Sequence, residues 1–128
     1  ATRNRRPVKS TFELVELIRR STPSWYHRGR LHFATRTFQA LRVAVNRELE
    51  NIPKGLEAAS AALKPGGRIV VITFHSLEDR VVKNFFQSED MRLIFTPILK
   101  KPLRPSFAEI AENPRAGSAK LRAFEKTA

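Results

Sequence analysis

The sequence predicts a mixed α/β fold, and three observations carry that expectation. Residues 34–50 repeat apolar side chains at helical spacing, with Phe38, Leu41, Val45 and Leu49 on one face. Arg68 to Phe74 is an unbroken apolar run, Ile-Val-Val-Ile-Thr-Phe, the pattern of a strand buried on both faces. From that strand onward, helical and strand-like segments alternate, which favours a sheet with helices packed on it.

The elements follow in order. Ala1 to Lys9 is basic and aperiodic, a loop or frayed end. Ser10 or Thr11 can cap a short helix whose apolar side chains are Phe12, Leu14, Val15, Leu17 and Ile18. Thr22-Pro23-Ser24 breaks it, and Trp25 to Phe33 is an aromatic, basic connector. On the 34–50 helix, Thr35, Gln39, Arg42 and Asn46 form a second stripe. Asn51-Ile-Pro53 restarts a helix through Leu63, and Lys64-Pro-Gly-Gly67 stops it ahead of the strand. Ser76-x-x-Asp79 looks like a capping box for a helix burying Leu77, Val81, Val82, Phe85 and Phe86. Met91 to Thr96 reads as a second strand and Thr96 to Pro105 as a proline-rich basic connector. A short helix around Ser106–Glu112, a loop over Asn113–Ser118 and a strand from Ala119 to Lys126 complete the chain. Three strands make a small sheet for so apolar a central strand.

Composition narrows the class. A chain of 128 residues, 41% hydrophobic and 28% charged, is long enough for one modest core. It has no cysteine, which excludes disulfides and thiolate metal sites. No apolar run approaches the roughly 20 residues of a membrane span. A soluble, cytoplasmic protein is expected. Lys and Arg total 24 against 12 acidic residues, a net charge of +12. Residues 1–36 carry nine basic and two acidic side chains and residues 91–128 eight and three, whereas residues 69–90 carry two and four. Basic ends around an acidic centre suit a polyanion such as nucleic acid, with a solubilising surface as the alternative.

The stretch Val-Val-Ile-Thr-Phe-His-Ser-Leu-Glu-Asp-Arg, residues 70–80, ends its apolar run in a histidine and a serine. Ligands of open α/β sheets gather at the carboxyl ends of strands, so Phe74, His75 and Ser76 are candidates for a cleft. The other reading is a capped strand-to-helix turn, with Ser76 as the cap and Asp79 as its complement. His27 and His32 lack a third ligand, and no metal is assigned.

Three stretches read together resemble one family: ATRTFQALRVAVNREL (34–49), LKPGGRIVVITFHSLEDRVVKNFF (63–86) and KPLRPSFAEIAENPRAGSAKLRAFEK (101–126). They are similar to the carboxyl-terminal half of the bacterial small-subunit ribosomal RNA methyltransferase H family, the MraW-like cytosine-N4 methyltransferases. The resemblance implies the carboxyl-terminal part of a class I, Rossmann-like methyltransferase sheet, preceded by the end of an inserted helical domain. Residues 1–33 would finish that insert and residues 34–128 would belong to the methyltransferase domain. It implies methyl transfer from S-adenosylmethionine to N4 of a cytosine in small-subunit (16S) rRNA. The family's glycine-rich cofactor loop, ribose-binding acid and DLGVSS-like motif would lie before residue 1, so no cofactor-binding residue is expected here. Phe33 stands where the family usually has proline, and Ala116-Gly117 replaces a more basic pair.

On this reading a fragment inactive by itself is expected, acting on rRNA or the small ribosomal particle. Its partners would include the missing amino-terminal half, even as a separate chain, or a second copy in a homodimer. A noncatalytic RNA-binding or interaction fragment is the alternative. A cytosine amine is a weak nucleophile, so groups that hold the flipped base matter most. His75 and Ser76 are the candidate catalytic groups at the base edge, and Phe74 could stack on the base or belong to the core. Arg80 could clasp a phosphate or pair with an acid. Arg36 and Asn46, in the best-matching stretch, are the other expected contacts, together with Arg115, Lys120 and Arg122 at RNA phosphates. An exposed strand face is the alternative for Lys120 and Arg122.

Overall fold

The computed structural model describes residues 7–29 and 31–128; residues 1–6, part of the expected basic end, lie outside the described residues. The chain forms two compact units, Ala1–Asn46 and Arg47–Ala128.

In the first unit, α1 spans Thr11–Ser21, with Ser10 as its cap: the Ser10 hydroxyl accepts from the Glu13 N–H at 3.2 Å. Thr22 closes the helix, its hydroxyl donating to the Ile18 carbonyl at 2.7 Å. The aromatic connector holds a 3-10 helix, Ser24–Arg28, and leads into α2, Thr35–Asn46. Phe33 and Ala34 are buried. The rings of His32 and His27 lie 4.3 and 4.7 Å from that of Phe33, and the Arg19 guanidinium stands 5.4 Å over it. An aromatic ring at this position therefore anchors its own cation-aromatic cluster. The apolar stripe expected along residues 34–50 is less buried than its period suggests: Leu41 and Val45 are exposed.

That stripe also belongs to two helices, not one. Arg47 takes a left-handed conformation (φ 50°, ψ 38°), ends α2 and starts α3, Glu48–Ala62. Pro53 therefore sits inside α3 and does not open it. Asn51-Ile-Pro53 carries a valid local signal for a helix start, but α3 tolerates the missing N–H within its second turn. The far end is held from a distance. The Lys126 ammonium donates to the Ser60 and Leu63 carbonyls at 2.9 and 2.8 Å, placing a cation at the negative helix end.

The Lys64–Gly67 turn delivers β1, Arg68–Thr73. Gly66 has φ +81°, open to glycine at little cost. At Gly67 a Cβ would stand 2.7 Å from Leu63 Cδ2 and 2.9 Å from the Lys64 carbonyl oxygen. Gly67→Ala is expected to lower stability by about 1–2 kcal/mol, read as a lower urea midpoint at unchanged slope. An unchanged midpoint would show that the turn yields without strain.

After β1 come α4 (Ser76–Gln87), α5 (Glu89–Ile94), β2 (Phe95–Pro97), α6 (Phe107–Glu112) and β3 (Lys120–Lys126). The expected strand over Met91–Thr96 is mostly helix. Met91 and Ile94, three residues apart, pack on the core while Leu93 points to solvent, a helical and not an alternating pattern. The loop over Asn113–Ser118 contains a 3-10 helix, Pro114–Ser118. The sheet order is β1-β3-β2, with β3 antiparallel to both neighbours. Leu56, Ile69, Val82, Phe86, Phe95 and Phe124 form the core, and the Phe86 and Phe124 rings stack at 3.7 Å.

The central apolar run is corrected most. Its pattern predicts burial on both faces of the sheet. Among the described residues of this unit, Ile69 and Thr73 are buried, but Val70, Ile72 and Phe74 are each more than half exposed. β1 is an edge strand with one face covered by helices and the other bare. Among the described residues, no helix is long and apolar enough to cross a membrane.

Candidate functional site

The end of β1 is a rigid corner built by its own side chains. His75 is extended (φ −144°, ψ 166°) and is the last residue before α4. Its ring, not the Ser76 hydroxyl, is the cap: Nδ1 accepts from the Glu78 N–H at 3.2 Å. Glu78 completes the box, with Oε2 accepting from the backbone N–H of Phe74 at 2.8 Å and of His75 at 3.2 Å. The capping box thus lies one residue earlier than Ser76-x-x-Asp79. The reason is positional: the cap must be the last extended residue, and the extended backbone ends one residue earlier than the hydroxyl pattern implies.

This geometry assigns the His75 tautomer. With Nδ1 accepting, the neutral ring carries its proton on Nε2. That nitrogen is shielded from solvent and lies 3.3 Å from Glu78 Oε1, without the alignment of a hydrogen bond. Glu48 joins these two residues, and one ligand atom from each of the three lies within 4.8 Å of the others. A protonated Nε2 suits donation to these carboxylates; ligating a cation there would require removing that proton while Nδ1 stays in the cap.

Around the corner, Phe74, Ser76 and Arg80 are exposed. Ser76 and Arg80 are four residues apart on α4 and share a face. Together they offer an aromatic ring, a hydroxyl and a guanidinium beside one strand end. The pairing of Thr73 with Lys120 brings the start of β3 to the same end of the sheet.

There the structure shows a different role for a residue that sequence reasoning places in a cap. Asp79 is buried and accepts from Arg122 Nε at 2.7 Å, Arg122 Nη2 at 3.3 Å and Lys120 Nζ at 3.0 Å. Hydrogen bonding from Arg122 holds the Asp79 carboxyl below its ordinary value; burial opposes this, and Lys120 with the charges of both cations outweighs it. Lys120 and Arg122 are therefore matched by an internal carboxylate and do not form a bare exposed strand face. A signal was available: Asp79 shares the buried face of α4 with Val82 and Phe86, and an acid in an apolar stripe needs a cationic partner.

The other expected contacts lie elsewhere. Arg115 is exposed in the 3-10 helix that leads toward β3, where its backbone N–H donates to Asn113 Oδ1. Arg36 and Asn46 belong to α2 in the first unit. Arg36 lines a cavity of about 450 Å³ with Trp25, Tyr26, His32 and Phe33. Asn46 closes α2 and is exposed. Phe74, His75, Ser76 and Arg80 are thus brought together, with Lys120 and Arg122 next to them through Asp79.

This corner occurs in a chain with many relatives. Ribosomal RNA small subunit methyltransferase H of Kosmotoga olearia is 51% identical over 123 residues, covering 95% of this chain and 41% of the relative. The protein of that name from Synechococcus elongatus is 52% identical over 121 residues, covering 94% and 40%. That from Thermomicrobium roseum is 46% identical over 143 residues, covering 100% and 43%. The chain thus spans about two fifths of the length of these relatives. The pattern of the MraW methylase family matches residues 1–127, which is nearly every residue from the basic end to β3, and the chain belongs to that family.

Proposed function

We propose that these residues serve an S-adenosylmethionine-dependent methyltransferase that modifies N4 of a cytosine in small-subunit rRNA. Family membership supports a methyltransferase. The observation that carries the cytosine reading is the corner after β1, where exposed Phe74, Ser76 and Arg80 surround a turn locked by His75 and Glu78. A class I sheet is the fold proposed for the family-length protein. The bare edge of β1 and the outward side chains of Val70 and Ile72 support it, because further strands would pair with that edge and a helix layer would cover that face. We further propose residues 1–33 as the end of a helical insert and residues 34–128 as part of the methyltransferase domain.

Among the described residues, the glycine-rich turn does not fit the cofactor. The double glycine, Gly66-Gly67, precedes a strand, and Gly67 is packed against Leu63 and Lys64, leaving no cradle for a nucleoside. Cofactor binding is accordingly assigned to the remainder of a family-length protein. What these residues contribute is positioning. Phe74 gives the extruded base a face, the Ser76 hydroxyl meets its edge, and Arg80 takes a flanking phosphate. His75 acts through the turn, with its ring committed to the cap. Arg36, Asn46 and Arg115 are proposed as further RNA contacts. Lys120 and Arg122 would contribute through the single positive charge that Asp79 leaves unmatched.

The test is methyl incorporation into small-subunit particles by a family-length enzyme carrying this segment, with nucleoside mass spectrometry of the product. N4-methylated cytosine is expected. Phe74→Ala with Ser76→Ala is expected to lower turnover about 10²-fold at unchanged cofactor affinity. The 128-residue chain by itself is expected to neither bind S-adenosylmethionine nor methylate. Methylation at another atom would overturn the cytosine-N4 reading, and full turnover in the double variant would overturn the site. A noncatalytic RNA-binding or interaction fragment is the second reading, favoured by the net charge of +12.

A further inference from the structure

A second concave site lies in the Arg47–Ala128 unit, lined by the far end of α4, α5, β2 and β3. Its volume is about 590 Å³, within the few-hundred to thousand Å³ range of sites that hold small organic ligands. The floor is apolar and rigid: Phe86, Phe95 and Phe124 are buried there, with Phe86 stacked on Phe124 and edge-on to Phe95. Pro97 and Leu99 extend the apolar lining toward solvent.

The charged lining is of one sign. Lys83 on α4, Arg92 on α5, Lys100 in the connector and Arg122 on β3 all contribute, and no Asp or Glu does. Asp79 matches Arg122. Lys83, Arg92 and Lys100 are not buried, and among the described residues none of the three makes an ion pair. Gathering unmatched cations from three separate elements around one cavity raises the energy of the bare protein. An anion that spans them lowers it.

We infer that this cavity binds a nucleotide of single-stranded RNA, with the phosphodiesters on both sides of it and the next one along the strand on Lys83, Arg92 and Lys100, and its sugar and base against Pro97 and Leu99. Cations on three elements fit successive phosphates of a chain better than one isolated anion. A concave apolar lining admits an unstacked nucleotide and excludes a duplex, whose bases are paired inside. The site is distinct from the corner at His75, where α4 begins. It would hold the RNA strand to one side of the base that is modified, and it rests on the reading of RNA as substrate.

The test is lysine footprinting on a family-length enzyme carrying this segment, with a short single-stranded RNA from small-subunit rRNA and inorganic phosphate at equal phosphate concentration. RNA is expected to slow acetylation of Lys83 and Lys100 severalfold and to leave exposed Lys54 and Lys64 unchanged, with inorganic phosphate protecting none of the four. In parallel, Lys83→Gln/Arg92→Gln/Lys100→Gln is expected to reduce the log–log salt slope of RNA affinity by about 2 units, at roughly 0.7 per phosphate contact. Binding without protection of Lys83 and Lys100, or an unchanged slope, would overturn this site and leave the RNA reading standing. Equal protection by inorganic phosphate would reduce it to a general anion site and overturn the nucleotide assignment. No RNA binding by the unmodified enzyme would overturn both.

Discussion

Asp79→Asn is expected to lower the stability of the Arg47–Ala128 unit by about 2–3 kcal/mol, because it leaves two part-buried cations facing a neutral amide. The Lys120 and Arg122 side chains are 24% and 16% exposed, so water can recover part of the loss. For that reason the figure is set below the cost of stranding a fully buried charge. Adding Arg122→Met to the Asp79→Asn variant should recover part of the loss, since fewer charges are then left unmatched. The pH dependence has a definite sign. The carboxyl is held below its ordinary 3.8, so its contribution is complete above that pH. It is lost as pH falls through the lowered folded value, when the proton enters the pair. Urea midpoints of the unmodified protein and the Asp79→Asn variant should therefore differ near neutrality and converge in acid. A constant difference across that range would show that Asp79 acts through shape and not through charge.

Phe86→Ala is expected to cost more, about 3–5 kcal/mol. The ring is 4% exposed, stacks on Phe124 at 3.7 Å and meets Phe85 and Phe95 edge-on at 5.1 and 5.3 Å. Truncation removes the shared member of all three contacts. It also opens the core toward the basic cavity, whose floor this ring forms. Phe86→Leu keeps most of the volume and should cost less than half as much. Chemical unfolding of the three proteins measures the difference. A loss below about 1 kcal/mol for the alanine variant would show that the aromatic cluster is not the centre of this core.

Much of this is legible in the sequence because it is local. Ser10 and Ser106 each sit three residues before a glutamate whose N–H they cap, and both helices start where that pattern puts them. The helix of α4 is visible in Val82 and Phe86, and the candidate corner is visible in the abrupt end of an apolar run at Phe74-His75-Ser76. Where local signals compete, the sequence misleads. Ser76 and His75 are both able to cap, and only the extended backbone of His75 decides between them. Met91 to Thr96 is apolar enough for either element, and the packing of Met91 and Ile94 on one face decides for helix.

The sequence by itself determined most of the element order, the basic character, the strand end that carries the candidate site and the family that the motifs resemble. These depend on neighbours within a turn or two, or on motif identity, and both survive in one dimension. Only the tertiary structure decided which side chains those elements bring together. Asp79 meets Lys120 and Arg122 across 41 and 43 residues, and Lys126 closes α3 from 63 residues beyond Leu63. It also decided that β1 is an edge strand and that three unmatched cations surround one cavity. Strand order and charge pairing are long-range, with no periodic trace in the chain. Many partners satisfy the same local pattern, and packing selects among them because a buried charge or an unpaired backbone group must be matched wherever the fold places it.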